Sequence, residues 1–418
     1  MVAKIKMGAN MLYVKSLSEA LEIIRATFFK VDTGVELVPL NEAIGRLLAE
    51  DTSAREDNPP FTRSALDGYA VRAADTFGAS DSVPAMLTYA GEIPMKQRPQ
   101  TDLKSGQAIY VPTGGCLPDG ADAIAMIEIA EKLGDQVLIM ESVAPGTGVV
   151  FQGDDAKAKD IILRKGQLLE ARHIGTLAAL GYPNVQVMRR VKCAIISTGD
   201  ELLPIESSLE DSIAGIRDVN SHLLRAQAEA YGCEVCSYGI CIDDEAKLSE
   251  TIKRAYDECD IVLVSGGSSV GVMDFTKKVF EEAVGATILM HGIALKPGKP
   301  TIVAEADKKA LIGLPGHPVS AFFVMLEVVR PLINVLQGFQ ETEKPFILAK
   351  IEEKIPSNHG REDFIPVALE KAEGSIVAKP LPYKSGLIAL LSQSDGYIRI
   401  SRLAEGLDAG TEVKIFKY

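Results

Sequence analysis

The alternation of apolar and polar positions divides the chain into segments of different period. Near the start, Leu17, Leu21, Ile24 and Phe28 recur at helical spacing. With Ser18 as a start signal, they predict a helix over residues 13–29, and residues 40–48 read as a second, shorter helix. From 81 to 150 the pattern changes to short β-like runs, AMLTYAGEIP, GQAIYVPTGG, ADAIAMIE and QVLIMES, separated by Gly and Pro. That pattern predicts a compact inserted β domain. A helix over 170–180 follows, ended by Gly181 and Pro183.

Between 189 and 338 one unit recurs: an apolar run, a Gly-containing loop, then a helix. It is seen in VKCAIISTGDELL, in DIVLVSGGSSVGVMDFTKK and in ALIGLPGHPVSAFFVMLEVV. Repeated strand–loop–helix units predict an α/β domain with a mostly parallel, doubly wound sheet. In such sheets the loops at the carboxyl ends of the strands face one crevice, where ligands bind. The middle helix is expected over 222–231, capped by Asp218-Val219-Asn220-Ser221. From 344 onward alternation returns (FILAKIEE, FIPVALE, SIVAKPL, YIRISRL, TEVKIFKY), as in a small terminal β domain.

The expected domains are therefore a discontinuous N-terminal one (13–57 plus 156–188), the inserted β domain (58–155), the α/β domain (189–338) and a C-terminal β-barrel (344–418).

The loops carry the candidate chemistry. Ser265-Gly266-Gly267-Ser268-Ser269 lets backbone N–H groups approach an anion, and a helix start beyond it adds unsatisfied donors. Asp274, read as opening that helix, puts a carboxylate at the rim. An ordinary glycine-rich βα turn fits these residues equally well. Lys296 and Lys299 flank Pro297-Gly298, so two ammonium groups sit on a stiff loop suited to an anion. In NPPFTRSALDGYA, prolines stiffen the entry and Asp67-Gly68 makes a sharp turn. Thr113-Gly114-Gly115 and Gly153-Asp154-Asp155 are further polar loops of the β segment.

Composition narrows the classes. Hydrophobic residues make up 47% and charged residues 24%, as in ordinary globular proteins. A net charge of -13 over 418 residues argues against nucleic acid as a partner, while leaving room for a basic pocket. The longest apolar stretch, 319–329, is interrupted by Glu327 and is too short to cross a bilayer. MVAKIKMGANML lacks an apolar signal core and a cleavage site. The chain is read as cytoplasmic, without a membrane partner. The Cys233/Cys236 pair has metal-like spacing but no second pair follows, so reduced cysteines are expected.

Six stretches together point further: PPFTRSALDGYAV, VPTGG with LPDGADAIAMIE, STGDEL, VSGGSSVGVMDFTKK, LKPGKP and GLPGHPVSA. In this order they resemble the motifs of the molybdopterin molybdenumtransferases, the MoeA-like proteins, whose eukaryotic relatives include the E domain of gephyrin. The resemblance spans nearly the whole chain. It implies an enzyme that takes adenylylated molybdopterin and molybdate or tungstate, releases AMP with Mg²⁺, and leaves the metal on the dithiolene. It also implies an elongated homodimer, with a cleft between the α/β domain of one subunit and parts of the other. A separate molybdopterin adenylyltransferase is a partner compatible with it.

By the same resemblance, Asp274, Asp243 and Glu201 are the metal-holding and catalytic carboxylates, and Asp67 joins them in catalysis. Thr113, Ser265, Gly266, Gly267, Ser268, Ser269, Pro315 and Pro318 are implied to bind the substrate. Lys296, Lys299, Arg361 and Ser385 are implied to hold molybdate; cations, a forked guanidinium and a hydroxyl suit a tetrahedral dianion. Asp155 matches a family aspartate, although GVVFQGDD lacks the arginine that usually precedes it. His291-Gly292 stands where some members carry Trp-Lys, and His317 replaces a frequent asparagine. Two other functions compete: adenylylation of molybdopterin, as in MogA-like proteins that match only the α/β segment, and a non-catalytic scaffold of the gephyrin type.

Overall fold

A computed structural model describes residues 14–29, 31, 33–208, 214–266, 270–339, 344–372, 374–382 and 384–418. Chain contacts divide it into two compact units, one holding the first helix and Met188–Tyr418, the other Leu48–Val187.

The first helix, α1, spans Leu17–Phe28 and buries Leu17, Ala20, Ile24 and Phe28. It starts at Leu17 because Ser16, not Ser18, is its cap. The Ser16 hydroxyl accepts from Glu19 N–H while Glu19 reaches back to Ser16 N–H, a reciprocal capping box. The expected second helix is absent. Only Leu40–Glu42 forms a 3-10 turn, Gly45 takes a positive φ of 72°, and Leu48 N–H bonds to Gln167 O instead of continuing a helix.

The unit around Leu48–Val187 contains a six-stranded sheet of β1 (Gly68–Val71), β2 (Ala85–Glu92), β3 (Gln107–Val111), β4 (Ala123–Met126), β5 (Ala130–Leu133) and β6 (Gln136–Ile139). Their order is β4-β1-β3-β2-β6-β5. Period-2 alternation sends Tyr69 and Val71 into one core and Ala70 into another. Helix α2 (Ala171–Ala179) follows, close to expectation.

The central sheet uses β7 (Lys192–Thr198), then α3 (Asn220–Ala230), β8 (Glu234–Cys241), α4 (Glu245–Glu258), β9 (Ile261–Gly266), α5 (Val270–Val284), β10 (Thr287–His291), β11 (Ile302–Ala306) and β12 (Lys309–Leu314). The order is β8-β7-β9-β12-β11-β10, with β8, β7, β9 and β12 mutually parallel and β11 antiparallel to both neighbours. Each strand feeds two cores. Cys193, Ile195, Ile261, Leu263, Ala310 and Ile312 face the side of α1 and α3; Ala194, Ile196, Val262, Val264 and Leu311 face that of α4 and α5. This is the doubly wound arrangement, and it explains why the strands read as unbroken apolar runs.

After β12 a helical run continues through α6 (Pro318–Val324), a π-helical turn (Met325–Val329) and α7 (Arg330–Gln337). It is longer than the apolar stretch 319–329 suggested and is long and apolar enough to cross a membrane, but most of it is buried inside the protein core. The π turn, closed by Arg330 N–H on Met325 O, precedes Pro331, which has no N–H to offer the ladder.

The last domain is a closed barrel of five strands, β13 (Phe346–Ile351), β14 (Glu362–Ala372), β15 (Ser375–Pro380), β16 (Gly396–Ile400) and β17 (Glu412–Phe416). The ring runs β13-β15-β14-β16-β17 and back to β13. Ile365, Val367 and Ile398 fill it, whereas Phe364 and Tyr397 point outward and join the core under α6. Phe323 stacks on Phe364 with ring centres 5.5 Å apart.

Candidate active site

The parallel strands bring their carboxyl ends to one edge, and side-chain bonds tie the loops there together. Thr198 ends β7, and its buried Oγ1 donates to Asp243 Oδ1 at 2.7 Å. Asp243 N–H in turn donates to Asp200 Oδ1 at 3.1 Å. Two neighbouring loops thus hold Asp243 and Asp200 together, with Glu201 next in the chain and exposed. Gly266 stands opposite Thr198 in the β7/β9 ladder, and a Cβ there would lie 2.2 Å from Thr198 Cγ2 and 2.3 Å from its carbonyl oxygen. Only glycine fits so close to Thr198.

Asn220 braces the other side. Helix α3 begins at Asn220 rather than at His222, and Asp218 accepts from Ser221 N–H. The Asn220 amide is thereby released from capping and donates to Ser265 Oγ and to Gly316 O, both at 2.8 Å. It locks the end of β9 to the loop carrying buried Pro315 and half-buried Pro318. Gly267, Ser268 and Ser269 lie outside the described residues.

Asp274 is exposed and sits inside α5, not at its opening, because β9 runs to Gly266 and the helix already begins at Val270. Burial lowers the pKa of His291, while the Asp274 carboxylate opposes that shift and Lys277 reinforces it. Among the described residues, no three His, Cys, Asp or Glu side chains converge as a ready-made metal set.

The lysine loop is rigid for a visible reason. The Lys299 carbonyl accepts from both Ile293 N–H and Thr301 N–H, and Thr301 Oγ1 donates to Gly298 O at 2.7 Å. Leu295 and Lys296 also pair with Glu362 and Asp363 at the start of β14. This brings Lys296 and Arg361 to one carboxylate that the sequence reading missed. Asp363 is fully buried, with Lys296 Nζ 3.4 Å and Arg361 Nε 3.3 Å from its oxygens. Ser385 is placed elsewhere in its contacts: its Oγ is hydrogen-bonded to His317 Nδ1 at 3.2 Å and its carbonyl accepts from Val319 N–H.

In the other unit, Asp67 and Thr113 are brought together, with Thr113 N–H donating to Asp67 Oδ1 at 2.8 Å. Both are exposed. Asp155 accepts from Asn58 Nδ2 at 2.6 Å, a contact that occupies one of its oxygens without the arginine.

Known families match along the chain: the MoeA N-terminal region (domains I and II) over residues 15–181, a probable molybdopterin-binding domain over 194–335, and the MoeA C-terminal region (domain IV) over 349–418. A putative molybdopterin biosynthesis protein of Methanocaldococcus jannaschii is 31% identical over 98% of this chain and 99% of its own. A molybdopterin molybdenumtransferase of Staphylococcus epidermidis is 31% identical over 90% of each chain. The chain belongs to the MoeA family. A solved MoeA structure from Pyrococcus horikoshii superposes with a TM-score of 0.83 at 34% identity, covering 97% of this chain and all of the other.

Three residues given no site role from the sequence help to shape these loops: Thr198, Asn220 and Asp363. Thr198 stood inside STGDEL as a loop residue, and Asn220 looked like a cap. Asp363 gave no signal, since its meeting with Lys296 depends on strand register between distant segments.

Proposed function

We propose that this chain inserts molybdate or tungstate into adenylylated molybdopterin and releases AMP in an Mg²⁺-dependent step. Family membership supports a role in molybdenum cofactor biosynthesis. Matches on both sides of the α/β segment favour the transferase over adenylylation, which the α/β segment alone would carry.

The observation that carries the reading is the shared edge: acidic Asp243 and Asp200 at one end of the sheet, and the lysine loop following β10. Carboxylate oxygens fit Mg²⁺, which takes one or two carboxylates and draws its other ligands from water and substrate phosphates. The lack of a three-residue cluster among the described residues is no obstacle to that mode. Asp243 and Asp274 would hold the ion, with Glu201 as the third acidic group. When bound, the ion supplies neutralisation of charge developing on the phosphate being released.

The chain's own groups do the rest. Thr198 fixes the Asp243 carboxylate, so little reorganisation remains when substrate arrives. Ser265 and Gly266 bring backbone close to the phosphates, and Asn220 holds that strand end against the Pro315–Pro318 loop. Lys296, Lys299 and Arg361 draw the oxyanion, with Ser385 as a hydroxyl donor. Asp67 and Thr113 are assigned to the cleft of a second copy in a homodimer.

The test is AMP release from adenylylated molybdopterin with Mg²⁺, with and without molybdate or tungstate. Oxyanion-stimulated release is expected. Binding without release would favour a scaffold, and formation of the adenylylated pterin from ATP would favour an adenylyltransferase.

A further inference from the structure

We propose that Asp363 is a positioning residue for the oxyanion cradle, holding Lys296 and Arg361 in the pose that receives the dianion. The inference rests on the cradle reading above and deepens it.

Asp363 is the fully buried member of a cluster whose cations are partly exposed: the Lys296 side chain is 44% and that of Arg361 35% accessible. Its Oδ2 accepts from Ser357 Oγ at 3.0 Å and from Lys296 Nζ at 3.4 Å. Its Oδ1 lies 3.3 Å from Arg361 Nε, within ion-pair range though not aligned as a hydrogen bond. The contact is made through Nε, an edge of the guanidinium distinct from its two terminal NH₂ groups. Those two groups can themselves grip a tetrahedral oxyanion in bidentate fashion.

Charge supports the same role. Lys296, Lys299 and Arg361 against one carboxylate leave a formal excess of two positive charges, which matches molybdate, tungstate or sulfate. Removing the carboxylate raises the positive charge, which favours an anion, but frees two long side chains. Both cations are exposed enough for solvent to screen the charge gain. Their lost order is not screened. The positioning effect therefore wins, and the neutral variant binds the anion more weakly.

The experiment measures AMP release against molybdate concentration for the unmodified protein, Asp363→Asn, Asp363→Glu, Ser357→Ala and Lys299→Ala. Asp363→Asn is expected to raise half-saturating molybdate about tenfold, the size of losing a charge-assisted contact, with little change in rate at saturation. Asp363→Glu restores part of the affinity. Ser357→Ala, a milder change, raises the requirement about threefold by loosening Asp363, and reports on the idea if Asp363→Asn fails to fold. A lower rate at saturation with unchanged half-saturation would mark a merely structural residue and overturn the inference. So would tighter molybdate binding by Asp363→Asn. If Lys299→Ala weakens molybdate use and Asp363→Asn does not, the cradle stands and only the Asp363 role is lost. If neither changes it, the cradle reading falls and takes this inference with it.

Discussion

Tyr397, on the barrel strand β16, donates its hydroxyl to Glu327 Oε1 at 2.6 Å, and Lys344 Nζ reaches the same oxygen at 2.8 Å. Glu327 sits in the π turn between α6 and α7 and is nearly fully buried. The polar residue that interrupts the apolar run is therefore a polar fastening of the helix to the barrel, beside the Phe323–Phe364 stack. Burial and the neighbouring carboxylate push the Tyr397 hydroxyl far above its ordinary pKa, so it stays a donor.

Removing one partner from this group exposes the cost of a buried charge. Lys344→Met leaves Glu327, among the described residues, with the Tyr397 hydroxyl and is expected to cost about 3–5 kcal/mol. Tyr397→Phe keeps the lysine and should cost less, about 1–3 kcal/mol. Denaturant titration of both variants checks the order. Equal losses would show that the ion pair adds nothing beyond the hydroxyl.

A separate expectation concerns the Thr198–Asp243 bond. Thr198→Val keeps the shape of a buried side chain and removes only the donor to Asp243. The Mg²⁺ concentration needed for AMP release should rise about tenfold or more, as when an outer-shell partner of a metal ligand is lost. Thermal melting serves as the control for folding. An unchanged Mg²⁺ dependence would remove Asp243 from the metal site.

Asp274 invites a complementary test because its side chain is exposed on α5, away from the packed core. Asp274→Asn should leave the melting temperature unchanged while slowing Mg²⁺-dependent AMP release by on the order of a hundredfold or more. Turnover at the unmodified rate would exclude it from the mechanism.

The sequence conveyed what depends on local pattern and lost what depends on register. Apolar runs of β7, β9 and β12, each followed by a loop and helix, were enough for the doubly wound sheet, since fully buried parallel strands carry no polar face. The motifs likewise offered Glu201 and the lysine loop as candidates, and the family resemblance added Asp243. The helix expected over 40–48 failed because Gly45 and the bond from Leu48 to Gln167 draw that backbone elsewhere. Asn220 looked like a cap because short polar residues at a helix start usually are; its real partners, Ser265 and Gly316, lie far along the chain. Asp363 was silent for the same reason. Whether a residue in a β run faces a lysine loop is decided by a pairing between residues 295–296 and 362–363.

The thiols give a pH prediction with a definite sign. All six cysteines are free. Burial raises Cys193, Cys233 and Cys259 above the ordinary thiol range, Cys233 and Cys259 each to about 12, with Cys236 adding to the shift of Cys259. A group held protonated in the fold, but free to ionise when unfolded, contributes stability that is full below the unfolded pKa. That contribution is lost as pH rises towards the folded value. Between about pH 9 and about pH 12 the unfolded chain therefore binds fewer protons, and the melting temperature should fall steadily through that window. Replacing buried Cys233 with Ala should make the fall shallower, since one ionising group is gone. The same shift predicts slow alkylation of Cys233 in the native protein at pH 8, where roughly one part in ten thousand is thiolate. Rapid native labelling at Cys233, or a melting temperature flat to pH 11, would contradict the buried, protonated thiol.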